Sequence, residues 1–332
     1  MIAHPHFQRL ANDARLLPPL AAGFVYPCDA ESLQFALSGA FAGYLAPVLV
    51  GPVARIRAAA EASGLDIARL EAIDTADDRA AAARHAVVLA RQGAIAAIVK
   101  GAIGNDGLLL PVVAPDIGLR TDRRLSHVVV LDVPGRAGPL LVADAQLNVS
   151  PNLAAKRDIA LNTLAFAAAL GVRRPRLAIV SALDVISPAF PSTADAAALK
   201  SMGAQGLLGD ALVDGPVLID AALAVDGGRG VGGDAAGRAD IVLAPGMETA
   251  AILCRTLTAV TGAFGAGLVL GARVPILTPS RGDSLEVRIA SCVLAALYAV
   301  SHRAAREQRP DVPLRAAPGA AHAATLPASS PA

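Results

Sequence analysis

The sequence predicts an α/β fold built on a largely parallel, buried sheet. Short apolar runs recur along the chain, each followed by a helical stretch of roughly ten to eighteen residues, which is the alternation of βαβ units. The length of 332 residues allows about two domains, or one large α/β unit with two lobes, and it buries a full core without staples. High apolar content (54%) with a net charge of only +1 excludes disorder for most of the chain.

The apolar runs place strands at 48–50, 94–99, 128–132, 140–143, 177–181, 241–244, 267–270 and 275–278. Residues 32–54 carry no charge for 23 residues, long enough to span a bilayer. Asp29 stands where an N-cap would, and Pro47 breaks any helix before Val48-Leu49-Val50, so a buried helix followed by a buried strand is expected instead. Pro52 suits the first turn of the next helix and Gly64 stops it. A helix over 79–91 ends at Gln92-Gly93, and Asn152 can cap a helix over 153–170 that Gly171 closes. Residues 256–272 are apolar but interrupted by Gly262, Gly265, Gly267 and Gly271. The last long helix, about 285–302, begins behind Asp283 and Ser284, either of which could cap it. From 309 to 332, five prolines and eight alanines read as a disordered tail, and 225–238 as an exposed loop. With no apolar signal-peptide core at the N-terminus, the expected location is cytoplasmic, with no membrane span.

Several function classes fall away. Cys28, Cys254 and Cys292 make no disulfide framework, and no CxxC or Cys/His cluster suggests a metal site. The near-neutral charge with no Trp argues against a nucleic-acid surface. Gly228, Gly230 and Gly233 match G-x-G-x-x-G, but they precede a strand instead of following one, so the pattern reads as a loop. There is no P-loop. The six histidines do not cluster: His4 and His6 lie in an N-terminal arm, His322 in the tail, His85 and His302 on helices, and His127 enters a strand.

Charge is sparse, which makes its placement informative. Lys100, one of three lysines, ends a strand before Gly101, at the carboxyl edge where α/β folds bind ligands. The stretch 118–126 (GLRTDRRLS) gathers Arg120, Arg123 and Arg124 before a buried strand, where guanidinium forks suit phosphate. The run 279–284 (PSRGDS) lies between a strand and a long helix. The helix N-terminus offers unpaired N–H groups to an anion. Arg281 adds a full charge, and the Ser280 hydroxyl could donate to a developing oxyanion. A solvated charge run, or a plain capping turn at 279–284, would use the same residues.

Together these stretches resemble the phosphate acetyl/butyryl transferase family. The resemblance is carried by PVLVGPVARI (47–56), VKG (99–101) with Asp106 downstream, GLRTDRRLSHVVVLDVP (118–134), LLVADAQLNVSPNL (140–153) and KRDIALN (156–162). It continues through VSALDVISPAFPSTADAAAL (180–199), LVDGPVLIDAAL (212–223), ADIVLAP (239–245) and LVLGARVPILTPSRGDS (268–284), in matching order. It is closest to the butyryl-type branch, and to the transferase half of proteins that also carry an enoyl-CoA hydratase domain.

The resemblance implies reversible transfer of a short acyl group, acetyl, propionyl or butyryl, from acyl-CoA to inorganic phosphate, without a metal or tightly bound cofactor. It implies a two-lobed three-layer α/β/α sandwich like that of isocitrate and isopropylmalate dehydrogenases, with the cleft between the lobes. The lobes would be 1–145 with 287–308, and 146–286. A homodimer is expected, working with an acetate or butyrate kinase. Ser280 would stabilise the oxyanion, and Arg281 with Arg120 or Arg123 would hold phosphate. Lys100, Asn148, Ser192 and Thr193 would bind phosphate or CoA.

Some positions depart from the family. The aspartate of the acetyl-type branch seven residues after the serine, proposed as general base, is Val287. Much inorganic phosphate is already dianionic near neutral pH, since the comparable second pKa of a phosphate monoester is about 6, so a mechanism without that base is expected. The family's Thr-Asp appears as Asn105-Asp106, its preceding histidines as Ile103 or Gly104, and a Gly-Asn turn as Ala250-Ala251. A catalytically degenerate CoA-binding or scaffold protein of the same fold is the alternative, and a dehydrogenase of the related fold a third reading.

Overall fold

The computed structural model describes residues 4–224 and 239–307, with side chains described to Ala304. The loop at 225–238, with Gly228, Gly230 and Gly233, and the tail at 309–332 lie outside the described residues. The strands are β1 (Leu20–Val25), β2 (Leu45–Gly51), β3 (Glu71–Asp74), β4 (Ala97–Lys100), β5 (Ser126–Asp132) and β6 (Leu140–Ala143). They continue as β7 (Arg176–Val180), β8 (Leu212–Val217), β9 (Ile241–Leu243), β10 (Phe264–Leu270) and β11 (Ile276–Leu277). The helices are α1 (Pro5–Arg15), α2 (Ala30–Phe41), α3 (Val53–Ala62), α4 (Arg79–Gln92) and α5 (Asn105–Val113). After them come α6 (Leu153–Ala169), α7 (Pro191–Ala204), α8 (Ile219–Leu223), α9 (Met247–Thr261) and α10 (Leu285–Glu307).

One sheet of 11 strands, ordered β3-β2-β1-β4-β11-β10-β5-β6-β9-β7-β8, runs through the molecule with helices on both faces. The expectation of a parallel sheet holds at its two ends and fails at its middle. The pairs β11–β10, β10–β5 and β5–β6 are antiparallel. Three reversals in succession leave β6, β9, β7 and β8 running opposite to β1, β2, β3 and β4. Every strand expected from an apolar run is present; β1, β3 and β8 were not expected. Each hides its signal: Ala21, Ala22 and Gly23 dilute β1, β3 (EAID) is an exposed edge strand, and Gly215-Pro216 inside β8 reads as a turn.

Local chemistry sets the helix ends. Asp29 caps α2 by accepting from the Ser32 amide at 2.7 Å, so residues 32–54 are indeed a helix and then β2. Asn152 caps α6 by accepting from the Ala155 amide at 2.9 Å. Pro52 immediately precedes α3, and Gly64, Gly93 and Gly171 follow their helices with φ of 64°, 77° and 81°. The N-terminal arm is instead a docked helix, α1: the buried Asp132 accepts from the His6 amide at 2.7 Å, and Phe7 meets the Phe264 ring edge-on at 5.0 Å. A cap from a distant strand leaves no local sequence pattern, which is why this helix is hard to read. Among the described residues one helix, α10, is long and apolar enough to cross a bilayer; half of its stretch 285–304 is buried inside the protein, where it packs on β10, α1, α2 and α6.

Candidate active site

Three adjacent parallel strands, β1, β4 and β11, end together, so the segments following them share one edge of the sheet. Those segments, with Arg79 at the start of α4, enclose a cavity of about 400 Å³, lined by Asp29, Glu31, Arg79, Lys100, Arg281 and Arg288 among others. Lys100 is the last residue of β4. Gly101 follows because the chain there presses on β1: a Cβ would lie 2.5 Å from the Val25 carbonyl oxygen. The Lys100 amine donates to Asn105 Oδ1 at 2.9 Å. Its pKa is lowered, first by burial and then by Arg281 and Arg288 against the opposing pull of Asp283 and Glu31.

The segment after β11 holds Ser280 by its backbone. Asp283 accepts from the Ser280 amide at 2.7 Å, and Arg288 Nη2 donates to the Ser280 carbonyl at 3.0 Å. Of the two capping candidates, Ser284 takes the helix, accepting from the Val287 amide at 3.3 Å. The Ser280 hydroxyl and the Arg281 guanidinium make no hydrogen bond or ion pair among the described residues, and both residues are exposed. Arg79 also faces the cavity, but it donates to the Ala102 carbonyl at 2.9 Å and lies over the Tyr26 ring at 5.3 Å.

The cavity therefore unites Lys100 and Arg281, with Ser280 between its lining residues Pro279 and Arg281. It does not take in the other expected residues. Arg120 is exposed beside the bridge it forms with Ala272. Arg123 donates to the Leu161 carbonyl of α6 at 3.2 Å, and Arg124 to Asn148 Oδ1 at 3.4 Å. Asn148 itself donates to the Leu125 carbonyl and to Asp144. Thr193 is fully buried, donating to the Phe190 carbonyl at 2.7 Å, and the Ser192 hydroxyl pairs with Ser181 at 2.8 Å. One thread joins the second half of the sheet to the site: Thr278, two residues before Ser280, donates to Gln146 Oε1 at 2.9 Å.

His127 lies on β5 opposite Val269, with its ring against Gly267, where a Cβ would meet its Nε2 at 2.8 Å. Burial lowers its pKa against the pull of Asp144 and Asp283, and its buried Nδ1 has no partner among the described residues, so the ring stays neutral. Cys28 is pushed up to about 11, mainly by burial, and Cys254 to about 12, so neither is a thiolate at neutral pH. Among the described residues no group of three or more His, Cys, Asp or Glu could hold a metal ion.

The departures have visible settings. Asn105 accepts from Lys100, Ile103 is buried in the core under β4, and Ala250 is fully buried in α9. Val287 packs against the main core. The residues missed in the sequence are Glu31, Arg79 and Arg288. Arg288 had a legible signal, a lone arginine in the apolar run Val287–Ala290, on the helix that starts behind the Ser280 loop.

A sequence profile described as "Phosphate acetyl/butaryl transferase" matches residues 79–296. The chain belongs to that family. A phosphate acetyltransferase of Rhizobium meliloti is 42% identical over 302 residues, covering 90% of this chain and 95% of that protein. A phosphate butyryltransferase of Clostridium acetobutylicum is 35% identical over 254 residues, covering 76% and 84% respectively. Among solved structures, a branched-chain phosphotransacylase from Enterococcus faecalis superposes with a TM-score of 0.74 at 26% identity, covering 84% of this chain and 99% of that one. The α/β sandwich expected from the resemblance is thus the fold observed, and the chain is an acyltransferase of the phosphate acetyl/butyryl transferase family. The names of these similar proteins span acetyl, butyryl and branched-chain groups.

Proposed function

We propose that the cavity beside Ser280 transfers a short acyl group, acetyl to butyryl, reversibly between coenzyme A and inorganic phosphate. The observation that carries this reading is the convergence of two cations, Lys100 and Arg281, on one cavity beside a serine whose hydroxyl is unengaged. Arg281 offers a fork that holds two phosphate oxygens, and Lys100 a point charge. Together they set dianionic phosphate in line with the thioester carbonyl, which is chiefly a positioning task. A phosphate oxygen bonds to the carbonyl carbon, and the carbonyl oxygen gains charge, to which the Ser280 hydroxyl donates. The C–S bond then breaks, and the proton of the phosphate ends on the departing CoA thiolate.

No residue is required to act as base in this scheme. Position 287 is apolar and core-packed, while phosphate arrives already dianionic. The relatives' names, acetyl and butyryl, support a small acyl group. We also propose a cytoplasmic homodimer, as is usual for the family, divided into lobes at 1–145 with 287–308 and at 146–286, and supplying acyl phosphate to an acetate or butyrate kinase. The test is release of CoA, read with a thiol reagent, from acetyl-, propionyl- and butyryl-CoA with and without phosphate. Phosphate-dependent release is expected from at least one of them, and none from any would refute the proposal. CoA binding by calorimetry without turnover would instead identify a non-catalytic CoA-binding protein.

A further inference from the structure

Arg288 is the one buried arginine among the described residues, 6% exposed, and it stands on α10 eight residues after Ser280. A guanidinium removed from water is stable only when its donors are met, and an apolar side chain would suit a core-facing helix position at lower cost. Its donors are met in a particular way. Nη2 donates to the Ser280 carbonyl at 3.0 Å and to the Glu31 carboxylate on α2, and Nε donates to the Asp283 carbonyl at 3.2 Å. Its planar face lies 5.9 Å from the centre of the Phe35 ring, also on α2. An ion pair joining α10 to α2 would account for Glu31. It would not account for the two carbonyls, both of which belong to the loop that carries Ser280 and Arg281.

From this geometry we infer that Arg288 is a positioning residue for acyl transfer, holding the Ser280–Asp283 loop so that the Ser280 hydroxyl and the Arg281 fork stay aimed at the cavity. The inference rests on the acyltransferase reading of that cavity. The loop's own hydrogen bonds, from the Ser280 amide to the Asp283 carboxylate and from the Asp283 amide to the Ser280 carbonyl, close it on itself but do not fix it to the rest of the protein. Arg288 does so from the opposite side, gripping the Ser280 carbonyl, and Glu31 anchors the guanidinium in turn. Neither Arg288 nor Glu31 needs to touch a reacting atom for this. A guanidinium suits this because Nη2 meets the Ser280 carbonyl and Glu31 while Nε meets the Asp283 carbonyl, a set that a lysine ammonium on a flexible stem meets only in part.

The experiment is steady-state kinetics on Arg288→Ala, Arg288→Lys and Glu31→Gln beside the wild type. Displacing a catalytic group by about 1 Å costs about 10²-fold. Arg288→Ala is therefore expected to lose about 10²-fold in kcat, with KM for phosphate changed less than threefold and CoA affinity by calorimetry unchanged. Low-millimolar guanidinium, which can occupy the vacated space, restores part of the loss. Arg288→Lys lies between the two, and Glu31→Gln loses severalfold in kcat. The inference is overturned if folded Arg288→Ala keeps kcat within threefold of wild type, or if its loss is unmoved by both guanidinium and the lysine variant. Should Arg288→Ala not fold, wild-type kcat in both Arg288→Lys and Glu31→Gln overturns it equally. If the wild type itself shows no phosphate-dependent release, the acyltransferase reading has failed first, and the two failures are told apart.

Discussion

Two arginine-bearing loops look alike in this sequence and behave differently in the fold. Residues 118–126 precede β5 and hold three arginines; residues 279–284 precede α10 and hold one. By composition the first is the better phosphate cradle. In the structure Arg123 and Arg124 have donors committed to Leu161 and Asn148, and the loop is tied down by Thr121, which donates to the Gly271 carbonyl at 2.7 Å. In the second loop the Ser280 amide and the Ser280 and Asp283 carbonyls are met by Asp283 and Arg288, and the side chains of Ser280 and Arg281 make no hydrogen bond among the described residues. The lesson concerns donors rather than charge: a guanidinium occupied by a backbone carbonyl is structural, however basic its neighbourhood, while one whose loop is braced by other groups is free for substrate.

The largest expected effects test the second loop. Ser280→Ala removes the donor to the oxyanion and should lower kcat by about 10²–10³, the usual cost of losing one such donor, with melting temperature unchanged because the hydroxyl makes no bond among the described residues. Arg281→Ala should act on the same scale but raise KM for phosphate as well, since the fork binds ground state and transition state alike. Initial rates over a phosphate series separate the two. A Ser280→Ala enzyme within threefold of wild type would break the contrast between the loops.

Lys100 gives a smaller and pH-dependent effect. Burial, aided by Arg281 and Arg288, lowers its pKa below the ordinary 10.5. Between the lowered value and 10.5 the unfolded chain binds more protons than the folded one, so this group's contribution to stability rises with pH across that window. Anion capture runs the other way, because the neutral amine attracts no phosphate. KM for phosphate is therefore expected to climb on the alkaline side before pH 10.5, and Lys100→Arg to flatten the climb. A profile identical in both proteins would show that the amine does not meet phosphate.

How far the sequence could be read follows the same division between local and distant causes. Helices α3, α4 and α6 were legible because their caps, Pro52, Gly93 and Asn152, are sequence neighbours of what they cap. The helix α1 was not, because its N-terminus is satisfied by Asp132, more than a hundred residues away. The strand-direction reversal was hidden for a similar reason, since β10 and β11 return late in the chain to fill the gap between β4 and β5. In the site, Lys100, Ser280 and Arg281 were legible as charges and hydroxyls at strand ends. The partners that make them usable, Glu31 and Arg288, come from α2 and α10 and meet only in the folded molecule.

Position 287 tests whether the braced loop lacks a base. Val287 packs against the core, so an aspartate there would be partly desolvated and its pKa pushed up, weakening it at neutral pH. Val287→Asp is expected to leave kcat at pH 7–8 within a few-fold of wild type while lowering stability by about 1–3 kcal/mol, the usual cost of an uncompensated buried polar group. A hundredfold gain in kcat would show that phosphate needs a base after all.

The smallest effects belong to the first loop, and they decide whether it is structural. Arg123→Met keeps most of the packing of a half-buried side chain but removes the donor to the Leu161 carbonyl. Since that carbonyl lies inside a helix and has its own backbone partner, the loss is expected to be about 1–2 kcal/mol in chemical denaturation, at the scale of one hydrogen bond from a charged donor. The kcat should stay within threefold of wild type. Arg120→Ala, at an exposed site whose side chain makes no hydrogen bond among the described residues, should change stability by less than about 0.5 kcal/mol. If KM for phosphate or for acyl-CoA nonetheless rose tenfold in either variant, the loop would have to swing its arginines toward the cavity when substrate binds. Committed donors would then be a resting arrangement, and the two loops would differ only in which one is ready before substrate arrives.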